Sequence, residues 1–244
     1  MRRLLVLQHL EREGPGLFVP LAEDRGFKVT TFRLDLGDSL PEPCNGDLLL
    51  VLGGPMGIRD IGNSTFPWLI KEVDLIKEAL NLKVGIIGIC LGAQLLSYAV
   101  GGYVEVLQEG TSKNYPLAEI GWDTISSHGC EKDNKLSKFL KNPFSVLHWH
   151  GDRILLPSKA ELIASSSRCK EQLFKIGSLA YGIQFHVEIE NEMVHRWIEE
   201  DKRFIYSALG KDGQSILQKQ QKEYGDKTLV ARLKFLNILI DLVC

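Results

Sequence analysis

The first half of the chain alternates between apolar runs and segments with helical spacing. Continuous apolar runs predict buried strands, and one alternating, β-branched segment predicts a further strand. The predicted strands cover residues 3–8, 27–33, 47–52 and 84–89, and the predicted helices cover residues 17–25 and 67–80. Apolar strands that alternate with helices are typical of a parallel sheet with helices on both faces, so we predict an α/β fold.

The second half contains shorter apolar segments separated by polar loops. Helical spacing predicts helices over residues 190–209 and 226–243, whereas residues 210–224 are polar and rich in lysine and glutamine. No Gly/Ser linker, repeat or low-complexity segment divides the chain, so we predict one domain over residues 1–244, with C-terminal helices from about residue 190. Six short strands are predicted as a mixed or antiparallel β layer added to the parallel sheet, at residues 103–107, 120–126, 144–149, 162–166, 172–176 and 180–185.

Residues 84–102 join a buried strand to a helix through a turn flanked by Gly88 and Gly92. The flanking glycines allow a strained turn that pushes the side chain between them out at the tip of the sheet. This is the arrangement of a hydrolase nucleophile elbow, here with Cys90 in place of serine. Because the N-terminus of a helix favours a thiolate, Cys90 is the candidate nucleophile.

Charge and cysteine usage exclude several classes of protein. The net charge of −2 gives no reason to expect nucleic acid or an anionic membrane as a partner. No apolar run approaches the roughly 20 residues of a membrane span, and the run at residues 4–7 is too short for a secretory signal. The cysteines are scattered without a CxxC pair, which argues against a disulfide framework or a zinc site and for a cytoplasmic location. They are Cys44, Cys90, Cys130, Cys169 and Cys244.

A thiolate nucleophile requires a nearby base, and the chain has six histidines. His186 ends an apolar segment in the sequence His186-Val187-Glu188. Period-two spacing places His186 and Glu188 on the same side, so the carboxylate can fix the imidazole tautomer and raise its basicity. Alone, this spacing is more typical of a solvated strand edge. Together with the elbow it indicates the catalytic base.

Three motifs, in this order, resemble the class I (triad-type) glutamine amidotransferases. They are Gly53-Gly54-Pro55-Met56-Gly57, Gly88-Ile89-Cys90-Leu91-Gly92-Ala93-Gln94 and Gly182-Ile183-Gln184-Phe185-His186-Val187-Glu188. Glu119-Ile120-Gly121-Trp122 and His148-Trp149-His150-Gly151-Asp152 extend the similarity, which covers roughly residues 45–190. The chain most resembles the glutaminase domain of GMP synthase and its free-standing relatives. The resemblance implies a flavodoxin-like α/β fold.

The resemblance also implies a reaction. Attack on the side-chain amide of glutamine gives a γ-glutamyl thioester and ammonia, and water then frees glutamate. It implies no cofactor and no metal, and the ammonia passes to a separate synthetase or acceptor protein or to no acceptor. The matched positions are Cys90 for the nucleophile, His186 for the base and acid, Glu188 for the orienting carboxylate, the N–H groups of Gly54 and Leu91 for the oxyanion, and Gln94 for the substrate.

Two positions depart from the family pattern. Met56 stands where many members have glycine, which predicts a different backbone in the oxyanion loop. Val187 replaces the proline of the common His-Pro-Glu, a change that keeps the strand alternation.

Two interpretations of the site stay open. His148, His150 and Asp152 suggest a metal site, but without a clear third and fourth ligand we favour a structural or substrate-side loop. A γ-glutamyl peptidase or hydrolase with the same triad is the alternative function. A catalytically silent regulatory or binding subunit is a further alternative, against which the intact triad residues argue.

Overall fold

The structure is a computed structural model that describes residues 2–108, 117–128 and 135–244. Cys130 therefore lies outside the described residues. The strands of the described residues are β1 (Arg3–Gln8), β2 (Lys28–Arg33), β3 (Leu48–Val51), β4 (Gly85–Ile89), β5 (Tyr103–Val106), β6 (Glu119–Ser127), β7 (Phe144–His150), β8 (Asp152–Leu155), β9 (Ala160–Ser165), β10 (Leu173–Ile176) and β11 (Ala180–Ile183). The helices of the same residues are α1 (Phe18–Glu23), α2 (Trp68–Asn81), α3 (Leu91–Ala99), α4 (Lys135–Phe139), α5 (Asn191–Glu200), α6 (Lys202–Leu209), α7 (Gly213–Tyr224) and α8 (Leu229–Val243).

The central sheet has the strand order β2-β1-β3-β4-β11-β10-β9-β6-β7. From β2 to β11 every neighbouring pair is parallel, and from β11 to β7 every pair is antiparallel. The predicted α/β fold with a parallel sheet is therefore confirmed. Most of the second-half strands extend this sheet on one side as antiparallel strands, and a tight turn with Gly177 at a φ of +61° folds β10 back onto β11. Strands β5 and β8 form the small separate sheet.

Alternating side chains of the parallel strands build a core on both faces of the sheet. Leu4 and Val6 pack on the face covered by α1, α4 and α8, whereas Leu5 and Leu7 pack on the face covered by α2 and α3. Because both faces are buried, these strands are apolar throughout, as the sequence predicts. No helix in the described ranges is long and apolar enough to cross a membrane.

The helix predicted over residues 190–209 is two helices. The break falls at Asp201, whose φ of −101° and ψ of 32° are not helical. The Asp201 carboxylate accepts hydrogen bonds from Trp149 on β7 and from Arg12 in the loop between β1 and α1. Tertiary contacts thus override the helical spacing, and the prediction of one helix is wrong.

Residues 210–224, which carry no clear apolar pattern, contain α7. Its Leu217 and Gln221 are buried, and Gln221 Oε1 accepts the indole N–H of Trp122 on β6 at 3.0 Å. This helix is held by polar contacts to β6 as well as by apolar packing. A buried glutamine has no apolar signature, so hydrophobic spacing could not identify the helix.

The carboxyl ends of β1, β3, β4 and β11 meet at one edge of the sheet. In open α/β sheets, ligands bind at this edge. The residues that follow these strands include His9, the loop from Gly53 to Gly57, Cys90 and His186.

Candidate active site

Cys90 occupies the turn between β4 and α3. Its φ of +51° and ψ of −105° lie outside the regions that L-residues ordinarily adopt, which costs about 1–3 kcal/mol. The Cys90 N–H donates to the Ile183 carbonyl at 2.7 Å, and the Cys90 carbonyl accepts the Gln94 N–H at 3.1 Å. Neighbouring elements therefore hold a strained backbone that presents the thiol to a cleft.

The flanking glycines supply space for this turn. A Cβ at Gly92 would collide with the carbonyl oxygen of Val51 on β3, and a Cβ at Gly88 would meet the carbonyl oxygen of Gly92. Gly88 and Gly92 are not among the positive-φ residues of the described chain, so the strained dihedral angle belongs to Cys90 itself. Helix α3 begins directly against the end of β3, which leaves no room for a side chain at Gly92.

We expect Cys90→Gly to have a free energy of unfolding about 1 kcal/mol higher than Cys90→Ala. Glycine adopts the Cys90 conformation without the strain of about 1–3 kcal/mol, although its larger unfolded-state entropy offsets about 0.4–1 kcal/mol. Urea denaturation measures the difference. Lys77, on the exposed face of α2, provides the control, because there glycine should be less stable than alanine. The same order at both positions would contradict the assignment of strain to Cys90.

His186 lies beyond the end of β11 and is fixed by backbone pairing with β7. Its N–H donates to the Leu147 carbonyl at 2.7 Å. Its Nδ1 lies 2.7 Å from Oε1 of Glu188, while Oε2 of Glu188 accepts the Val187 N–H at 2.9 Å. The buried carboxylate thus holds Nδ1 as a donor and leaves Nε2 to accept a proton from Cys90, which lines the same cleft.

The electrostatics of this group favour a charged imidazole. Burial alone would lower the pKa of His186, but the charge of Glu188 and the hydrogen bonds to Cys90 and Glu188 raise that pKa well above its usual value. The Gln184 amide, to which the sequence assigned no role, is a second donor, because its Nε2 lies 3.5 Å from the Cys90 sulfur.

The loop that follows β3 lies against the start of α3. A Cβ at Gly54 would lie 3.2 Å from Cδ2 of Leu91 and 3.2 Å from the sulfur of Met56. Gly54, Met56 and Leu91 all line the cleft that contains Cys90. Met56 is 8% exposed, so the side chain that departs from the family pattern is packed inward. The two backbone segments predicted to bind an oxyanion therefore meet beside the candidate nucleophile.

A buried ion pair that the sequence analysis did not predict anchors this loop. His9 Nδ1 lies 2.9 Å from the Gly53 carbonyl, and its Nε2 lies 2.8 Å from Oε1 of Glu72 on α2. Both ring nitrogens face acceptors, so one added proton satisfies the whole pair. Burial alone would lower the pKa of His9, but the Glu72 charge and the hydrogen bonds raise it. A signal was present, since Glu72 falls on the apolar stripe of α2 between Leu69 and Ile76.

We expect Glu72→Gln to lower the free energy of unfolding by about 1–3 kcal/mol at pH 6, because it leaves buried His9 without its carboxylate. A raised folded-state pKa contributes stability that is fully present below the unfolded pKa of about 6.5 and is lost as pH rises through the folded value. The difference from wild type should therefore shrink towards pH 9. Denaturation at several pH values tests this, with exposed Glu78→Gln on the same helix as the control. If the difference in unfolding free energy between Glu72→Gln and the wild type grew with pH, the raised pKa assigned to His9 would be wrong.

The cleft has a volume of about 610 Å³, within the range of about 300–1,000 Å³ typical of small-molecule sites. Five of the six predicted site residues line the cleft. The sixth, Glu188, lies behind His186 and is hydrogen-bonded to it. Gln94 is 4% exposed, and its Oε1 has no hydrogen-bond partner in the part of the chain that the structure describes. That oxygen is positioned to accept a hydrogen bond from a ligand.

A further part of the cleft wall was not predicted. Asp201 accepts the indole N–H of Trp149 at 2.9 Å and a guanidinium N–H of Arg12 at 3.2 Å. The indole N–H of Trp197 donates to the Arg12 carbonyl at 2.8 Å. These residues come from separate segments, so no local pattern could associate them. They form part of the cleft wall, and the ring of Trp197 lies edge-on to that of His186 with ring centroids 4.8 Å apart.

Glu13 is a further unpredicted residue of the cleft. A Cβ at Gly53 would lie 2.5 Å from Oε2 of Glu13 and 3.3 Å from Cε1 of His186. Burial raises the pKa of the Glu13 carboxyl, against the opposing charges of His186 and Arg12. An acidic group therefore lies close to the candidate base.

His148 and His150 lie on β7 and Asp152 lies on β8. His148 falls in the strand predicted over residues 144–149, whereas the prediction of a loop is wrong for His150 and Asp152, because their backbone pairs with β6 and β5. His150 and Asp152 line the cleft.

The model of the family described as glutamine amidotransferase class-I matches residues 19–201. The chain is 31% identical over 212 residues to the glutamine amidotransferase-like protein YfeJ of Salmonella typhimurium, covering 86% of this chain and 85% of that protein. It is 28% identical over 182 residues to γ-glutamyl peptidase 4 of Arabidopsis thaliana, covering 73% and 69%. It is 33% identical over 136 residues to one subunit of the glutamine-hydrolysing GMP synthase of Methanococcus vannielii, covering 55% and 66%.

A solved structure agrees with these sequence matches. The crystal structure of a glutamine amidotransferase from Thermotoga maritima superposes with a TM-score of 0.80 at 28% identity, covering 99% of this chain and 97% of that one.

Proposed function

The chain belongs to the class I glutamine amidotransferase family, and we propose that it hydrolyses the side-chain amide of glutamine through a thioester on Cys90. The observation that carries this proposal is the position of Cys90 and His186 in one cleft, where a Cβ at Gly53 would lie 3.6 Å from Cβ of Cys90 and 3.3 Å from Cε1 of His186, while Nδ1 of His186 lies 2.7 Å from Glu188. Acyl transfer requires a nucleophile, a base that takes its proton, and a carboxylate that orients the base.

In the first half-reaction, the Cys90 sulfur attacks the amide carbon of glutamine and a C–S bond forms. The thiol proton resides on Nε2 of His186. The carbonyl oxygen becomes an oxyanion, which the N–H groups of Gly54 and Leu91 stabilise, each such donor contributing on the order of 2.7–4 kcal/mol. The C–N bond then breaks, and the proton from His186 goes to the nitrogen, which leaves as ammonia.

In the second half-reaction, water attacks the thioester. His186 Nε2 takes a proton from the water as the C–O bond forms, and the same two N–H groups stabilise the second oxyanion. The C–S bond breaks, the proton returns to the sulfur, and glutamate is released. The Gln94 oxygen, which has no partner among the described residues, supports a role in holding the substrate.

A γ-glutamyl peptidase or hydrolase is the second candidate function. Its chemistry is the same except that the leaving group is an amino acid or peptide instead of ammonia. The observation that favours it is the extension of the cleft beyond Cys90 to Arg168 and Phe204, which leaves space for a larger leaving group. The γ-glutamyl peptidase 4 of Arabidopsis thaliana, a relative over 73% of this chain, is consistent with it.

A substrate panel separates the two. Purified protein is given glutamine or γ-glutamyl dipeptides with neutral, basic or acidic second residues, and glutamate, ammonia and free amino acid are measured. We expect ammonia from glutamine to be the faster product. Dipeptide cleavage at least about tenfold faster, a difference of about 1.4 kcal/mol in transition-state binding, would replace the glutaminase proposal with the peptidase. Absence of all products, together with an unreactive Cys90, would indicate a silent binding subunit.

The ammonia acceptor is proposed to be a separate synthetase protein. The relative from Methanococcus vannielii is one subunit of a glutamine-hydrolysing GMP synthase, which supports a division of the reaction between two chains. If this chain works in the same way, glutamine hydrolysis should accelerate when a cell extract freed of small molecules is added. An unchanged rate would favour release of ammonia without an acceptor.

A further inference from the structure

A buried polar cluster lies behind the cleft wall, where β6, β7 and the start of β10 meet. It consists of Glu119, His148, His150 and Gln172, which are 3%, 0%, 4% and 0% exposed. His150 also lines the cleft, so the cluster lies next to the proposed active site. The proposed glutaminase chemistry uses none of these four side chains.

A single carboxylate oxygen is the centre of the cluster. Oε2 of Glu119 lies 2.6 Å from Nε2 of Gln172, 3.1 Å from Nε2 of His150 and 3.6 Å from Nδ1 of His148. The ligand atoms of Glu119, His148 and His150 all lie within 4.8 Å of one another. Strands β6 and β7 and the residue before β10 therefore direct polar atoms at one buried point.

The hydrogen bonds of His150 require a cation at this point. Its Nδ1 lies 2.9 Å from the Asp152 carbonyl, so Nδ1 carries a hydrogen and donates. Without a further proton, the lone pair of Nε2 would face the Glu119 carboxylate at 3.1 Å, and two acceptors at that distance repel each other. A proton or a metal ion between them removes the conflict.

One proton does not satisfy the cluster. In the His9–Glu72 pair, an added proton gives every facing nitrogen a partner. Here, among the described residues, Oε1 of Glu119, both ring nitrogens of His148 and Oε1 of Gln172 have no hydrogen-bond partner. Buried polar groups without partners are rare in folded proteins and mark a missing ligand or water. The unpaired atoms point to an occupant that takes several ligands at once.

We propose that Glu119, His148 and His150 bind a divalent transition-metal ion with the ligand preference of zinc, and that Gln172 is its fourth ligand. Zinc–nitrogen and zinc–oxygen bonds of about 2.0–2.2 Å place tetrahedral ligands roughly 3.3–3.5 Å apart. The distances of 3.1 Å and 3.6 Å from Glu119 to His150 and His148 bracket that spacing, whereas the 2.6 Å between Gln172 and Glu119 is shorter and must lengthen when the ion binds. A half-turn of the Gln172 amide places its oxygen where its nitrogen now faces Glu119.

The contacts around the ligands fit a metal site. The Nδ1–H of His150 donates to a backbone carbonyl, which is how metal-binding histidines are commonly oriented. His148 is fully buried, and both of its ring nitrogens lack a hydrogen-bond partner among the described residues. With four protein ligands the site is closed, so the ion joins β6, β7 and β10 and orients His150 at the cleft wall.

Metal titration of the full chain tests the proposal. The protein is dialysed against a chelator and titrated with Zn²⁺ and with Co²⁺, whose visible absorption reports four-coordinate geometry. We expect one ion per chain and a rise in melting temperature with added metal. His148→Gln should weaken Zn²⁺ binding by at least about 100-fold, since loss of an outer partner alone costs about 10–100-fold. His195→Gln, on the exposed face of α5, should bind as the wild type does.

Two results would overturn the proposal. One is the absence of stoichiometric Zn²⁺ or Co²⁺ binding in the folded wild type, which would leave a proton and water as the occupants. The other is equal binding by wild type and His148→Gln, which would indicate ions on surface histidines. If His148→Gln does not fold, as judged by circular dichroism, Gln172→Ala replaces it. That variant keeps three ligands and should bind Zn²⁺ at least about tenfold more weakly.

Discussion

Cys90→Ala is expected to lower kcat by at least about 10⁴-fold for every γ-glutamyl substrate that the wild type hydrolyses. Alanine cannot form the thioester, and the described structure offers no replacement thiol. Cys44 and Cys244 are exposed, and burial raises the pKa of Cys169 to about 12, which keeps it protonated. Measurement of glutamate and ammonia release at enzyme concentrations high enough to detect residual turnover gives the ratio.

The control for this variant is Cys44→Ala, which removes a free thiol outside the cleft and should keep wild-type kcat. Both variants should melt near the wild type, because each substitution removes only one sulfur atom. Iodoacetamide should alkylate the wild type at position 90 and abolish its activity. Turnover by Cys90→Ala within tenfold of the wild type would rule out the thioester mechanism.

Glu188→Gln is expected to lower kcat by about 10³–10⁴-fold, as loss of the orienting carboxylate does in other triads. Both oxygens of Glu188 accept hydrogen bonds, one from His186 Nδ1 at 2.7 Å and one from the Val187 N–H at 2.9 Å. A glutamine amide has one acceptor oxygen, so its NH₂ group must face either the imidazole or the backbone N–H. If the NH₂ group faces His186, Nδ1 must accept its hydrogen bond. The imidazole proton then lies on Nε2, which is the wrong tautomer for a base.

A pH series shows whether Glu188 acts through His186. The raised pKa of His186 in the folded protein contributes stability below the unfolded value of about pH 6.5, and this is lost as pH rises through the folded value. Glu188→Gln should remove this contribution, so its deficit in unfolding free energy should be larger at pH 6 than at pH 9. Exposed Glu190→Gln is the matched control. A loss of kcat without any change in the pH dependence would indicate a purely structural role.

Local sequence patterns predicted the parts of the fold that depend on neighbouring residues. The strand from Arg3 to Gln8 was predicted with the bounds that the structure has. The elbow at Cys90 was found because an apolar strand, two glycines and helical spacing occur within nineteen consecutive residues. Such features are short-range, so the periodicity of a single segment contains them.

Contacts between segments that are distant in the sequence could not be predicted from these local patterns. Asp201 interrupts a segment with helical spacing because Arg12 and Trp149 bind its carboxylate. The strands of the second half were expected to form an added layer, but nothing in their composition specifies which edge they pair with. The pairing follows from the β10–β11 turn and from the free edge of β4.

The sequence by itself determined the fold class, the family resemblance and the identity of Cys90, His186 and Glu188 as candidates, because each depends on residue type and short spacing. The tertiary structure decided which distant groups meet: Glu72 with His9, and Glu119 with the two histidines of β7. Burial excludes water from these pairs, so their charges and unpaired atoms have energetic consequences that no linear pattern contains. At the elbow, only the packing of α3 against β3 showed that the glycines provide space and that Cys90 bears the strain.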